Sequence, residues 1–202
     1  RAQIEPEAVA RRPSEVASKE KMAFSLPDKP SIAVLPFVNM SEDPKQEFFS
    51  DGMTEEIITA LTRLKGIRIV ARTSSFSFRG KEADVREIAA RLNVESILEG
   101  SVRRAGKRIR VTAQLVKASD GYHLWSQRFD REMTDVFAIQ DEICQAIVDK
   151  LRVQLAPGRP LVKRYTEIVE AYNLCLKGSY HVQKFTAEGL VKGREYFEQA
   201  IA

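Results

Sequence analysis

The sequence predicts an α/β domain over residues 30–156, built on a five-strand mixed sheet. Three observations predict it. "SIAVLPF" opens with an unbroken apolar run, as a strand covered on both faces requires. Apolar residues at helical spacing then alternate with short strand-like runs, which implies parallel neighbours joined by right-handed crossovers. Further on, "VESILEGSVRR" and "RIRVTAQLVKA" flank Ala105-Gly106-Lys107, a hairpin signal that adds antiparallel strands.

Each element has its own justification. Residues 1–29 lack periodicity and carry Pro13 and Pro27, so they read as a linker. After the first strand, Asp43-Pro44 marks a turn. Met53, Ile57, Leu61 and Leu64 then recur on one helical face, with Ile58 widening the stripe. Asp51 is expected to cap this helix, with Glu55 and Glu56 in its first turn, where negative charge suits the helix dipole. Gly66 stops the helix, and "IRIVA" is the second strand. Beyond a Ser-rich loop, "ADVREIAARLN" places Val85, Ile88, Ala89 and Leu92 together and ends at Asn93. Ile109, Val111, Ala113 and Leu115 alternate with Arg108, Arg110, Thr112 and Gln114, so that strand buries one face only. Asp120-Gly121 turns the chain into "YHLWSQRFD", whose Trp125 and Phe129 are expected in the core. Val136, Ile139, Ile143, Ile147 and Leu151 make the last helix of the domain, ending before Pro157. These elements satisfy one another, so residues 30–155 are expected to fold without the C-terminal segment.

Composition excludes several classes. Hydrophobic residues at 44% and charged residues at 30% fit a globular chain. A net charge of +4 does not call for nucleic acid or an acidic membrane. No apolar run approaches the length of about 18 residues that spans a bilayer. The polar start, without an initiator Met, is the expectation for a fragment of a longer protein. Cys144 and Cys175 lie in separate helical patterns and read as two buried thiols.

Several separated motifs carry a family resemblance. "PDKPSIAVLPFVNMSEDPKQEFFSDGMTEEIITAL", "ARTSSFSFRGK", "ILEGSVRRAGKRIRVTAQLVKASDGYHLWSQRFD" and "DVFAIQDEI" resemble the TolB amino-terminal-like (FlgO-like) domain of bacterial signalling proteins. The resemblance implies sheet order 2-1-3-4-5 with strand four antiparallel and helices on both faces. It also implies an attached output domain: a class III cyclase, a winged-helix regulator or a kinase. After a linker at residues 157–166, "AYNLCLKGSYH" and "GREYFEQAIA" resemble the two helices of a tetratricopeptide repeat, partial over residues 167–202. Leu174, Gly178, Phe197 and Ala200 match that pattern; His181 stands where it wants Tyr. Membrane-anchored members of the family would hold this domain outside the cytoplasm and soluble members inside, so localisation stays open.

No residue set promises catalysis. Catalytic carboxylates need burial or a neighbour that splits their pKa values, and the acidic run from Glu42 to Glu56 reads as exposed and like-charged. It also lacks the alternation and central Gly of an EF-hand loop. His123 and His181 are far apart without partners at zinc-ligand spacing, and no Gly-rich phosphate loop is present. Ser74 and Ser75 lack the glycines of a nucleophile elbow. The expectation is a non-catalytic sensory or protein-interaction module with no cofactor and no metal. The alternative is a nucleic-acid-binding module using the basic hairpin 103–110, against which a solvated hairpin is the simpler reading. Phe76 and Phe78 in "ARTSSFSFRGKEAD" are either a ligand loop or plugs for the sheet edge.

The implied strand order gives a more specific expectation. Strands one to three run parallel, so their carboxyl ends share the edge where open α/β sheets take ligands. Asn39 and Ser41, then Arg72, Ser74, Ser75 and Arg79, then Arg103 and Arg104 lie on the loops there. They could receive an anionic group, such as an acidic peptide segment or a partner-domain carboxylate; the sheet edge and the repeat surface are the expected protein contacts. The rival is internal neutralisation by Glu42, Asp43, Glu47 and Asp51.

Overall fold

The computed structural model describes residues 29–151, 153, 161, 162, 166 and 168–202. The proposed linker 1–29, apart from Lys29, and most of 157–166 lie outside the described residues. The strands are β1 (Ser31–Val34), β2 (Val38–Asn39), β3 (Arg68–Ile69), β4 (Ser96–Ala105), β5 (Arg108–Lys117) and β6 (His123–Glu132). The helices are α1 (Glu47–Thr62), α2 (Arg72–Phe76), α3 (Val85–Leu92), α4 (Val136–Lys150), α5 (Val169–Val182) and α6 (Ala187–Ile201).

The sheet runs β3-β1-β4-β5-β6, with β2 also on β4. β1 is parallel to β3 and β4, and the β4–β5–β6 meander is antiparallel. Six strands replace the five expected because Pro36 breaks the first one. Val34 opposes Leu98 and Val38 opposes Ser101, so four steps on one strand face three on the other. Pro36 has no N–H to give the ladder. The next donor, Phe37 N–H, leaves the sheet and bonds Thr54 Oγ1 of α1 at 3.0 Å. This bulge carries the Phe37 ring over Gly100 of β4.

Alternation along β1 and β4 divides the core. Ile32, Val34, Leu98 and Val102 face a large cluster with α1, α4 and α5, while Ala33 and Ile97 face a smaller one with Ile88, Ala89 and Phe78. β1 is therefore covered on both sides, as its unbroken apolar run requires. On β5, Ile109, Val111, Ala113 and Leu115 are all buried and Arg108 and Arg110 exposed. Phe129 is buried and Trp125 half-buried. α3 is capped by Asp84, which accepts from Arg86 N–H, and closed by Asn93 in the left-handed region.

Two local expectations fail. Asp51 is not a cap: Asp43 caps a 3-10 turn at Pro44–Gln46, α1 starts at Glu47, and Asp51 lies buried one turn inside it. Burial of Phe48 and Phe49 draws that extra turn into the helix. The two thiols also differ: Cys144 is buried, but Cys175 is exposed, because α5 turns Tyr172 and Leu176 inward instead.

α5 packs directly on α1. The Leu176 side chain lies where a Cβ on Gly52 would sit, only 2.5 Å away. Tyr172 stands edge-on to Phe49 and to Phe137, at 6.4 and 4.7 Å between centroids. Its hydroxyl accepts from Nε2 of the fully buried Gln140 at 3.0 Å. Tyr172 and Leu176 thereby pack α5 into the large core cluster of the α/β unit. α6 lies against α5, with the Phe197 ring on Gly178.

Candidate functional site at the carboxyl edge of the parallel strands

A cleft of about 930 Å³ opens where β1 and β2 leave the sheet. Its floor is Ser101 and Thr112 on the sheet face; its walls are Val38, Asn39 and Ser41 on one side and Phe78 to Ala83 on the other. Of the eight residues expected at this edge, Asn39, Ser41 and Arg79 line the cleft. Asn39 and Ser41 are local organisers. Asn39 Oδ1 accepts from Ser41 N–H at 3.0 Å, its Nδ2 donates to the Asp43 carbonyl, and Ser41 Oγ accepts from Arg104 N–H at 3.0 Å.

The other five residues do not line this cleft. Ser74 and Ser75 belong to α2, a short helix where a loop was expected, and Ser75 is wholly buried. Arg103 reaches Glu42 at 3.5 Å. Arg104 turns to the helical side of the sheet, donating to Asn173 Oδ1 of α5 at 3.2 Å. Burial there holds its guanidinium below the usual value, against the pull of Glu170. Arg72 points to α1 and α5.

An ion network runs behind the cleft. Glu47, Asp51 and Glu55 stand four residues apart on one stripe of α1, where like charges repel each other. Two arginines pair with all three. Arg79 bonds both Glu47 and Asp51. Arg72 pairs with Glu55 and also donates to Gln183 Oε1, while Gln183 Nε2 donates to Glu55 at 2.5 Å. The Phe76 ring lies beneath both guanidiniums, 3.9 Å from Arg72 and 5.1 Å from Arg79. α1, α2 and the end of α5 are thereby tied together. The internal rival is right about Arg79, yet a concavity remains beside it. Phe78 is a plug, buried between sheet and α3.

Burial is the largest influence on Asp51 and pushes its carboxyl above the ordinary 3.8; the bond to Arg79 opposes this without cancelling it. A raised native value means the folded state holds the proton more tightly, so this group's contribution falls as pH rises from 3.8 through the native value. Asp51→Asn removes that group, so its stability should decline less with rising pH across this window. Urea unfolding at several acidic pH values reads it; an unchanged slope would mean that Asp51 ionises as freely as in the unfolded chain.

The basic hairpin is partly neutralised. Arg108 and Arg110 both bond Asp130, at 2.5 Å each. Among the described residues no cluster of His, Cys, Asp or Glu could hold a metal ion, and no helix is long and apolar enough to cross a membrane.

Over 198 residues the chain is 42% identical to "Putative adenylate cyclase 3" of Rhizobium meliloti (strain 1021), covering 97% of this chain and 33% of that protein. The chain thus spans about a third of that relative's length. Among solved structures, TolB from Acinetobacter baumannii superposes with a TM-score of 0.47 at 16% identity, covering 62% of this chain and 29% of TolB. Lipoprotein GNA1162 from Neisseria meningitidis gives 0.44 at 18% identity, covering 62% of this chain and 99% of the lipoprotein. The family model for the second domain of HilA/YgeH-like transcriptional regulators matches residues 28–146, more than half of the chain. The chain belongs to that family of HilA/YgeH-like second domains.

Proposed function

We propose that this chain is a non-catalytic sensory and protein-interaction module of a bacterial signalling protein, and that it modulates an attached output domain. In this reading a TolB-like domain over residues 30–156 leads into the first helices of a tetratricopeptide array over residues 167–202. One observation carries the reading: Arg79 lines the cleft and holds α1, while Arg72, one helical segment earlier, links α1 to Gln183 of α5. A partner group entering the cleft competes for Arg79, and the change reaches α5 and α6 through the shared acidic stripe. An acidic peptide segment or a carboxylate of a neighbouring domain suits Arg79 and Lys81. Support for the array comes from the close α5–α6 approach over Gly178 and from His181, which takes the expected Tyr place and stacks on Tyr196 at 5.5 Å. The family's regulatory name and the relative's cyclase name support the signalling context.

The test uses a longer protein in which this chain is joined to a cyclase domain. Arg72→Gln keeps a polar side chain but removes the charge that holds Glu55 against Gln183. Cyclic-nucleotide output should change, while the 202-residue chain alone should turn over no nucleotide. Unchanged output rejects the coupling, and turnover by the isolated chain rejects the non-catalytic reading.

A further inference from the structure

The sheet has two unequal edges. β3 is two residues long and leaves little backbone to pair. β6 is ten residues long and, among the described residues, pairs on one side only, with β5. A long free edge is a template for another strand unless it is blunted by charge, bulge or cover. The bulge between β5 and β6 lies at Leu115/Val116, at one end, so Gln127 to Glu132 remain regular.

We propose that β6 is a homodimer surface, on which two copies of this chain pair antiparallel about a two-fold axis through Phe129. A two-fold axis normal to the sheet keeps each side chain on its own face, so the axis must pass through a residue and opposed residues have the same parity. The side chains discriminate among the possible axes. An axis at Arg128 sets Arg128 against its own copy, and one at Asp130 sets two carboxylates together. An axis at Gln127 opposes Ser126 to Arg128 and leaves the charges unmatched. At Phe129, Arg128 of each copy faces Asp130 of the other, Gln127 faces Arg131 and Ser126 faces Glu132. Directly opposed unlike charges stabilise a strand pair, and like charges oppose it.

The monomer leaves the exposed Arg128 without a carboxylate partner among the described residues, although Arg108, Arg110 and Arg131 are each paired. Asp130 already accepts from Arg108 and Arg110, so a third cation meets a carboxylate that is fixed in place. The charges that blunt this edge toward other strands therefore suit a second copy. The dimer forms one continuous sheet with both clefts on the same face, and it is independent of what the cleft binds.

Sedimentation equilibrium of the 202-residue chain tests this. The wild type should show a monomer–dimer equilibrium that weakens with added salt. Arg128→Glu sets the introduced carboxylate against Asp130 of the other copy and should be monomeric. At concentrations low enough to dissociate the wild-type dimer its unfolding midpoint should match the wild type's, because Arg128 has no carboxylate partner to lose within the monomer. Asp130→Lys sets the introduced ammonium against Arg128 and should also be monomeric. Mixing the two variants should restore a heterodimer, in which the introduced glutamate and lysine face each other and the native Asp130–Arg128 pair re-forms. If Asp130→Lys does not fold, Arg128→Glu decides alone. A monomeric wild type overturns the proposal, and so does a dimer that Arg128→Glu leaves intact.

Discussion

Replacing Tyr172 by alanine should destabilise the protein by about 3–5 kcal/mol, the range for deleting a buried aromatic ring. The ring is 4% exposed and fills the space between Phe49 of α1 and Phe137 of α4. Its loss also strips the fully buried Gln140 amide of its hydroxyl partner. Tyr172→Phe isolates that second effect and should cost only about 1–2 kcal/mol. Denaturant midpoints at constant slope give both values. The comparison matters because Tyr172 belongs to the segment that the sequence pattern sets apart. A loss below ~1 kcal/mol for Tyr172→Ala would mean that the α/β unit holds its core without α5.

Gly100→Val should be at least as damaging. A Cβ at this position would collide with the Thr112 carbonyl oxygen and lie 2.8 Å from the Phe37 ring. Neither neighbour can yield cheaply. Thr112 is main chain in the middle of β5, and Phe37 is fixed by the bulge at Pro36 and by its N–H bond to Thr54. Overpacking typically costs about 1–3 kcal/mol, and this case should reach or exceed the top of that range because the strands must separate. Gly52→Ala is the control. Its Cβ would meet the flexible tip of Leu176, which can rotate away, so the loss should be clearly smaller. Equal losses at the two positions would argue against a rigid contact under the cleft.

Features set by burial on one or two faces were legible from the sequence. The unbroken "SIAV" run, the alternation on β5 and the left-handed close at Asn93 each follow from local rules. Pro36 was visible too, but the extra residue it forces into the first strand depends on Thr54, far along the chain from Phe37. α2 could not be foreseen because Arg-Thr-Ser-Ser-Phe has weak helical preference. Bonds from Arg72 and Arg79 to α1 hold that segment in place. The site shows the same division. The acids that bond Arg79 suggested neutralisation because the implied strand order puts them at the same sheet edge, whereas the Arg72–Gln183 bond joins residues 111 apart. Arg104 looked like a member of the hairpin tip, and only the packing of α5 turns it toward Asn173.

The proposed module depends on Arg72 coupling the acidic stripe behind the cleft to the α5–α6 pair. Amide hydrogen exchange of Arg72→Gln against wild type tests this most directly, because it reads local opening element by element. Coupling through Arg72 predicts faster exchange at the end of α5 near Gln183 and through α6, with β4, β5 and β6 protected as before. Unchanged exchange in α5 and α6, or a uniform rise across the whole chain, would contradict it.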